Sequence, residues 1–448
     1  MRTSHRAATL RTAVIGTVLA LGLAACGGGG GSDETPAAAG SPADVAAALE
    51  KGGEITVWGW DPTLKPVVAG FMKKHPNVKV NLVNAGTGND QYTALQNAVK
   101  AGKGGPDVAH IEYFALPQFV LGKSVANLSG FGADKLEGTF STGPWSSVQN
   151  GEGIYGLPMD SGPQALFYNK KMFDKHGVAV PTTWDEYLEA ARKLHKADPN
   201  VYITSDIGDA GTTTSMLWQA GDKPFKVEDT NVTVDLEGEG AKRYTALWDT
   251  MIDEKLLSPV TGWSDEWFQG LASGNIASLT IGAWMPANLE SGAPKGAGDW
   301  AVAPMPQWEK GGKTSAENGG SSLAVMEAST KKALAYAFAE YSNVGEGVQT
   351  RVDNGAFPAT TKTLESPEFL NKEFKYFGGQ KVNEVLSESA ANVVPDWSYL
   401  PYQVYANSIF SDTAGQAYTG KTDLAGGLKA WQDAIVDYGN KQGFKVNQ

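Results

Sequence analysis

Two glycine-rich stretches match phosphate-binding patterns by spacing, but neither is flanked by the elements that such a site needs. GEGIYG at 151–156 fits GxGxxG, yet it leads into Leu157 and Pro158 where a nucleotide-binding loop would open a helix. GQAYTGKT at 415–422 fits the P-loop, yet residues 402–412 before it have the pattern of a helix and not of the required strand. Both stretches are predicted to be plain loops.

The usual nucleophiles and metal ligands are also missing from the sequence. No GxSxG motif occurs, and Cys26 is the only cysteine. The histidines beyond the first 25 residues are scattered without ligand spacing: His75, His110, His176 and His195. We therefore predict no catalytic residue, no metal site and no cofactor. A glycosidase remains open, because it needs only two suitably separated carboxylates among 49 acidic residues.

Tryptophan is the residue type that stands out, with 13 in the chain. Trp184 and Trp248 fall on predicted helices, where a core position is expected. Five others fall where strands end or loops begin: Trp60, Trp218, Trp263, Trp284 and Trp397. Ligands of open α/β sheets bind beyond the carboxyl ends of strands, and the C–H face of a pyranose suits an aromatic ring.

Acidic residues accompany these aromatics. Asp61, Glu112 and Asp160 stand beside them or at predicted strand ends. Carboxylates make strong charge-assisted hydrogen bonds with sugar hydroxyls, so the combination favours a carbohydrate ligand, while a structural role for each residue stays open. The formal net charge of −12 argues against nucleic acid, whose phosphates an acidic surface repels.

The elements that must position these residues alternate along the chain. Ile55 and Val57 have the period of a strand, and residues 64–72 then follow helical spacing. A second strand at 78–82, a helix at 92–99 and a strand at 107–111 follow. Thr183 and Glu186 form a predicted capping box that opens another helix. This alternation indicates an α/β fold with parallel strands.

The N-terminus has the organisation of an export signal. Three arginines precede a short apolar run at 13–25, which is too short to span a bilayer. The run ends in LAAC at 23–26, which resembles the bacterial lipobox, so residues 1–25 are predicted to be a signal peptide and Cys26 the lipidated residue. Residues 26–52 are predicted to be a flexible tether with a reach on the order of 30 Å.

Longer segments resemble the family 1 extracellular solute-binding proteins, the sugar receptors of ABC importers. They include GLPMDSGPQALFYNKKMFDKHGVAVPTTWDEYLEAARKL at 156–194, GNIASLTIGAWM at 274–285, WAVAPMPQW at 300–308 and GAFPA at 355–359. The resemblance implies a two-lobed periplasmic-binding-protein-like fold of type II, with a mainly parallel sheet in each lobe and three crossovers. It implies a first lobe of 53–162 plus 306–342 and a second lobe of 163–305 plus 343–448.

The same resemblance implies a set of sugar contacts. Trp284, in IGAW, matches the aromatic platform of the family, and Asp160, after GLPM, matches a position that binds hydroxyls. The remaining implied contacts follow strands or lie in second-lobe segments: Trp60, Asp61, Glu112, Tyr113, Trp218 and Trp397.

The resemblance implies a monomeric receptor, anchored by lipid to the outer face of the cell membrane. Its lobes close around a sugar, and the many tryptophans favour an oligosaccharide. The closed form docks on an ABC permease. Two alternatives stay open. One is a secreted carbohydrate-active enzyme, and the other is a receptor of the same fold for a polyamine or a peptide.

Overall fold

The structure of the protein is a computed structural model that describes residues 40–228 and 230–448. The predicted signal peptide, the lipidated Cys26 and the first part of the tether lie outside these residues. Within the described ranges, no helix has the length and apolar character needed to cross a membrane.

Helices and strands alternate through most of the chain. The strands are β1 Gly53–Trp58, β2 Val78–Val83, β3 Val108–Glu112, β4 Gln149–Asn150, β5 Gly153–Ile154, β6 Leu157–Pro158, β7 Gln164–Asn169, β8 Thr204–Ser205, β9 Phe225–Glu228, β10 Asn231–Val234, β11 Leu257–Ser258, β12 Ser278–Gly282, β13 Trp300–Ala303, β14 Ser321–Val325 and β15 Lys445–Asn447. The helices are α1 Pro42–Lys51, α2 Leu64–Lys74, α3 Asn89–Ala101, α4 Leu116–Leu121, α5 Thr142–Ser147, α6 Lys170–Lys175, α7 Trp184–Ala197, α8 Ala210–Gln219, α9 Glu239–Asp253, α10 Asp265–Ser273, α11 Met285–Gly292, α12 Lys332–Asn343, α13 Glu346–Asp353, α14 Thr361–Leu364, α15 Pro367–Leu370, α16 Val382–Ala391, α17 Gln403–Ser408 and α18 Leu424–Lys441.

A five-stranded sheet, in the order β2-β1-β3-β14-β6, forms the centre of the first half of the molecule. β1 pairs in parallel with both β2 and β3, as the βαβ pattern predicts. β14 enters the sheet antiparallel between β3 and β6, after some 200 residues of intervening chain. The carboxyl ends of β1 and β3 therefore meet at one edge, where Trp60 and Glu112 are found.

A second sheet, in the order β12-β7-β13, is antiparallel throughout, which differs from the mainly parallel sheet predicted for the second lobe. β12, α11 and β13 do form a crossover with two strands in the same direction, as the alternation indicates. β7 is inserted between those strands in the opposite direction. Two short strand pairs outside this sheet are parallel: β8 with β11 and β10 with β15.

The predicted tether is shorter than the sequence suggested, because residues 42–51 form helix α1. Ser41 accepts a hydrogen bond from the Asp44 amide, while the Asp44 side chain accepts one from the Ser41 amide. Pro42 occupies the first helical position, where its missing N–H costs nothing. Val45 is buried against the first core, so α1 belongs to the folded part.

Buried apolar side chains form three clusters that show how the chain crosses the molecule. The first cluster contains residues 45–159 and 323–339 in the main, with the five-stranded sheet at its centre. The other two flank β7 and hold most of the buried residues from 165–305 and 348–435. Cluster membership changes between 159 and 165, between 305 and 323, and between 339 and 348. Ala359 and Val404 return to the first cluster.

Local signals agree with the predicted elements elsewhere. The Thr183 side chain accepts a hydrogen bond from the Glu186 amide at the start of α7, as the capping box predicts. The Glu186 carboxylate reaches back one residue further than expected, to the amide and hydroxyl of Thr182. The GxGxxG match at 151–156 covers the turn and second strand of the β4–β5 hairpin and ends before β6. The P-loop match lies mostly in a 3-10 turn at 414–419, so neither has the strand and helix that phosphate binding needs.

Candidate functional site

A cavity of about 900 Å³ lies where the carboxyl ends of the first sheet face the second half of the molecule. One wall comes from the segments after β1, β2 and β3, and the opposite wall from residues 204–215, the 260–263 loop and the start of α11. Five of the eight predicted contact residues line it: Trp60, Asp61, Glu112, Asp160 and Trp284. Tyr113, Trp218 and Trp397 do not.

Glu112 ends β3 and is held in place by one tyrosine. The Tyr92 hydroxyl donates to Glu112 Oε2 at 2.8 Å and accepts from the Glu112 amide at 2.9 Å. Tyr92 is fully buried on α3, so both bonds are protected from water. Burial, with a smaller contribution from the nearby Asp209 side chain, raises the pKa of Glu112 to about 7, against the opposing hydrogen bond from the Tyr92 hydroxyl. Glu112 is therefore a firmly oriented acceptor near its own titration midpoint at neutral pH.

Asp160 and Asp61 share a buried counter-ion, Arg351 on α13. Arg351 Nη2 lies 3.3 Å from Asp61 Oδ2, Nε donates to the Thr63 hydroxyl, and Nη1 donates to the Met159 carbonyl. Asp160 Oδ1 accepts from the Ser321 amide at 2.6 Å. Burial raises the pKa of Asp160 to about 8, against the opposing attraction of Arg351.

Arg351 should be a large contributor to stability. Arg351→Met leaves Asp61 without its buried partner, so we expect the free energy of unfolding to fall by about 3–5 kcal/mol in urea denaturation. The double variant with Asp61→Asn removes both charges and should recover part of that loss. A double variant whose loss equals the sum of the two single losses would show that the pair contributes no interaction energy.

Aromatic rings supply the flat surfaces of the cavity. Trp60 stacks on the ring of His110 with centroids 3.8 Å apart and planes 18° apart. His110 is buried, and burial lowers its pKa to about 3, so the ring stays neutral beneath Trp60. Trp284 is fixed by a 2.7 Å hydrogen bond from its Nε1 to the Asn318 carbonyl, and its ring lies 5.6 Å from that of Trp263. Trp60 and Trp284 therefore present oriented faces from opposite walls.

The three predicted contacts that miss the cavity are positioned behind its walls. The Tyr113 hydroxyl donates to the Asp160 carbonyl at 2.7 Å, so it holds the backbone that carries Asp160. Trp218 and Trp397 stack on each other with centroids 4.3 Å apart and planes 4° apart. Trp218 Nε1 also donates to the Val394 carbonyl. Each ring therefore covers one face of the other. The sequence could not predict this contact, because Trp218 and Trp397 lie far apart in the chain.

Several cavity residues were not among the predicted contacts. Asp206 and Asp209 follow β8, and Asp209 caps α8 by accepting from the Thr212 amide. Asp206 accepts from Trp248 Nε1 and from the Tyr418 hydroxyl. A short strand followed by a helix-capping Asp at 204–209 is the sequence pattern that could have predicted Asp206 and Asp209 as cavity residues. Trp263, one of the loop tryptophans, also lines the cavity and is 45% exposed.

These residues suit binding more directly than chemistry. Oriented carboxylates accept hydrogen bonds, flat rings stack on C–H faces, and the cavity volume falls in the range of about 300–1,000 Å³ typical of small-molecule sites. In residues 40–228 and 230–448, no group of three or more His, Cys, Asp or Glu side chains could hold a metal ion. Two α/β halves joined by several chain crossings, with such a cavity between them, define a solute-binding protein.

The chain belongs to the bacterial extracellular solute-binding protein family, whose model matches residues 59–343. This membership places it among proteins that act outside the cytoplasm and confirms the resemblance found in the sequence. The two-lobed fold is confirmed as well, by solved structures that match nearly their full length.

Three similar proteins illustrate the match. The ABC transporter associated binding protein from B. animalis subsp. lactis Bl-04, solved with β-1,6-galactobiose, is 48% identical with a TM-score of 0.86, over 89% of this chain and 100% of that one. The galacto-N-biose-/lacto-N-biose I-binding protein from Bifidobacterium longum, solved with lacto-N-biose, is 26% identical with a TM-score of 0.75, over 89% and 99%. The arabinooligosaccharide-binding protein of Halalkalibacterium halodurans is 26% identical over 362 residues, which are 78% of this chain and 81% of that protein.

Proposed function

We propose that this protein is an extracytoplasmic receptor that captures a short oligosaccharide and delivers it to an ABC importer. The observation that carries the proposal is the cavity between the two halves, in which Trp60 and Trp284 offer faces from opposite walls beside the oriented carboxylates of Glu112 and Asp160. A pyranose needs this combination of flat apolar surface and hydrogen-bond acceptors.

The ligand we propose is a disaccharide or short oligosaccharide that contains galactose. The protein from B. animalis that is 48% identical was solved with β-1,6-galactobiose, and the one from Bifidobacterium longum with lacto-N-biose. The cavity of about 900 Å³ lies at the upper end of the usual range for small ligands, which favours more than one sugar ring.

Closure of the two lobes is the proposed mechanism. We assign the first lobe to 53–162 plus 306–342 and the second to 163–305 plus 343–448. The sugar binds one wall first, and contacts from the other wall then favour the closed form by their additional affinity. The closed monomer would dock on the permease subunits of the importer.

The contact residues are assigned by their place in the cavity. Trp60 and Trp284 would stack on sugar rings, and Asp61, Glu112 and Asp160 would form hydrogen bonds with hydroxyls. For Tyr113, Trp218 and Trp397 we now propose indirect roles, because each lies behind the wall and holds a lining element in place.

Isothermal titration of the folded part from residue 40 with β-1,6-galactobiose, lactose and arabinobiose tests the proposal, with spermidine and a tripeptide as controls for the polyamine and peptide alternatives. We expect a micromolar dissociation constant for at least one galactoside, about −8 kcal/mol. Binding to a control alone would contradict the sugar assignment. Sustained release of reducing ends from any oligosaccharide would replace the receptor by an enzyme.

The lipid anchor is a proposal with its own test. Cys26→Ser removes the only thiol that a lipid transferase can acylate, so we expect the protein to move from the membrane fraction to the medium or the soluble fraction. Immunoblots of fractionated cells measure this. A variant that stays entirely in the membrane fraction would contradict anchoring through Cys26.

A further inference from the structure

The Asp, Glu, His, Lys and Arg side chains that line the cavity are acidic, with one histidine as the exception. Six acidic residues line it: Asp61, Asp90, Glu112, Asp160, Asp206 and Asp209. Among the described residues of its walls there is no lysine and no arginine. The single histidine, His110, is kept neutral by burial.

Arg351, the buried cation beside Asp61, does not line the cavity. Each of the three guanidinium nitrogens of Arg351 has a partner within the protein, namely Thr63, Met159 and Asp61, and its side chain is 2% exposed. Arg351 therefore compensates Asp61, and because it is buried and does not line the cavity it offers no cation to a ligand.

The carboxylates come from both walls and act on one another across the cavity. Asp209, on the wall that carries α8, raises the pKa of Glu112 on the wall that carries β3. Asp61 and Glu112 both raise the pKa of Asp160. Electrostatic repulsion within the site thus disfavours the ionisation of its own acids. A negatively charged ligand would be repelled in the same way.

We infer that the cavity selects its ligand by charge, admitting neutral sugars and sugars that bear an amino group while excluding uronic, sulfated and phosphorylated sugars. This inference rests on the proposed function and narrows its ligand class. It follows from the six lining acidic residues, the absence of a lining cation in the described walls and the burial of Arg351 outside the lining.

The energetics differ for the three kinds of sugar. A carboxylate on the ligand would leave water for a site whose free donors are neutral amides and hydroxyls, without a cationic partner, and unpaired charges are costly to bury. A protonated amino group would instead meet carboxylate acceptors and aromatic faces, both of which attract cations. A neutral sugar has neither the cost of burying an unpaired negative charge nor the attraction of a positive one.

Titration of the folded part with three matched disaccharides tests the inference. The probes are β-1,6-galactobiose, the same disaccharide with its non-reducing ring oxidised to galacturonate, and its 2-amino-2-deoxy counterpart. We expect the neutral and aminated sugars to bind within about tenfold of each other and the uronate at least about 30-fold more weakly than the neutral sugar, because like charges across an interface cost several kcal/mol.

A charge variant separates electrostatics from shape. Asp209→Asn keeps an acceptor for the Thr212 amide at the start of α8 and removes one negative charge from the wall. We expect the dissociation constant of the uronate, divided by that of the neutral disaccharide, to be several-fold smaller in this variant than in the wild-type protein. A uronate that binds as tightly as galactobiose, or a ratio that Asp209→Asn leaves unchanged, overturns the inference alone. Failure of all three sugars to bind overturns the proposed function and the inference with it.

Discussion

Trp284→Ala is expected to reduce the affinity for the sugar by about 30- to 1,000-fold, equivalent to a loss of roughly 2–4 kcal/mol. Trp284 presents one of the two opposed aromatic faces, and its hydrogen bond to the Asn318 carbonyl fixes the ring at the angle the ligand meets. Truncation removes both the stacking surface and the fixed geometry. Isothermal titration with the best ligand of the wild-type protein measures the effect.

Trp308→Ala is the matched control for this variant. Trp308 is half-buried like Trp284, packs 5.5 Å from Trp184 in the second half of the molecule and lies outside the cavity lining. We expect it to lower the stability without a change in affinity beyond about twofold. If both substitutions weaken binding equally, the loss reflects general damage to the fold and not a contact at Trp284.

Glu112→Gln is expected to make the protein more stable and a weaker receptor at the same time. Burial raises the pKa of Glu112 to about 7, from an ordinary value of 4.5. Between these values the folded protein binds a proton that the unfolded chain releases, so stability falls as the pH rises through this window. Glu112→Gln has no carboxyl group to ionise in this buried site. We therefore expect its free energy of unfolding to exceed that of the wild-type protein by up to about 3 kcal/mol at pH 8 and by almost nothing at pH 4.

The affinity of Glu112→Gln for the sugar should fall by about 10- to 100-fold at pH 8, since a hydrogen bond to a charged acceptor contributes roughly 1.5–3 kcal/mol. Urea denaturation at pH 4 and pH 8 and titration with sugar at pH 8 give the two readouts. Glu340→Gln is the control, because the Glu340 carboxylate also accepts from a tyrosine hydroxyl, that of Tyr336, but lies away from the cavity. Unchanged affinity in Glu112→Gln would remove Glu112 from the contacts.

The first sheet was predictable from the sequence because its signals are local. Ile55 and Val57 alternate with polar neighbours in β1, and α2 and α3 follow the helical period, so β1, β2 and β3 and the residues at their ends could be placed. Trp60, Asp61 and Glu112 follow directly from that placement. Asp160 and Trp284 were also singled out by their places at strand ends and loop starts, and the resemblance to a known family gave them their implied roles.

The differences between prediction and structure arose where distant segments decide the outcome. The Trp218–Trp397 stack joins residues far apart in the chain, and each ring alone looked free to meet a ligand. The antiparallel entry of β7 between β12 and β13 is likewise a tertiary choice that strand periodicity does not encode. Helix α1 is a different case, since the capping box at Ser41 was visible and the Ala- and Gly-rich composition around it concealed the helix.

The position of β14 in the first sheet has a consequence for how the protein is made. β14 lies between β3 and β6, although it is synthesised some 200 residues after β3. The sheet is therefore incomplete until most of the chain has emerged, and pairings of such long sequence separation form slowly. The position of β14 therefore predicts that the first sheet is completed late, so a chain that carries the predicted export signal would remain unfolded for longer after synthesis.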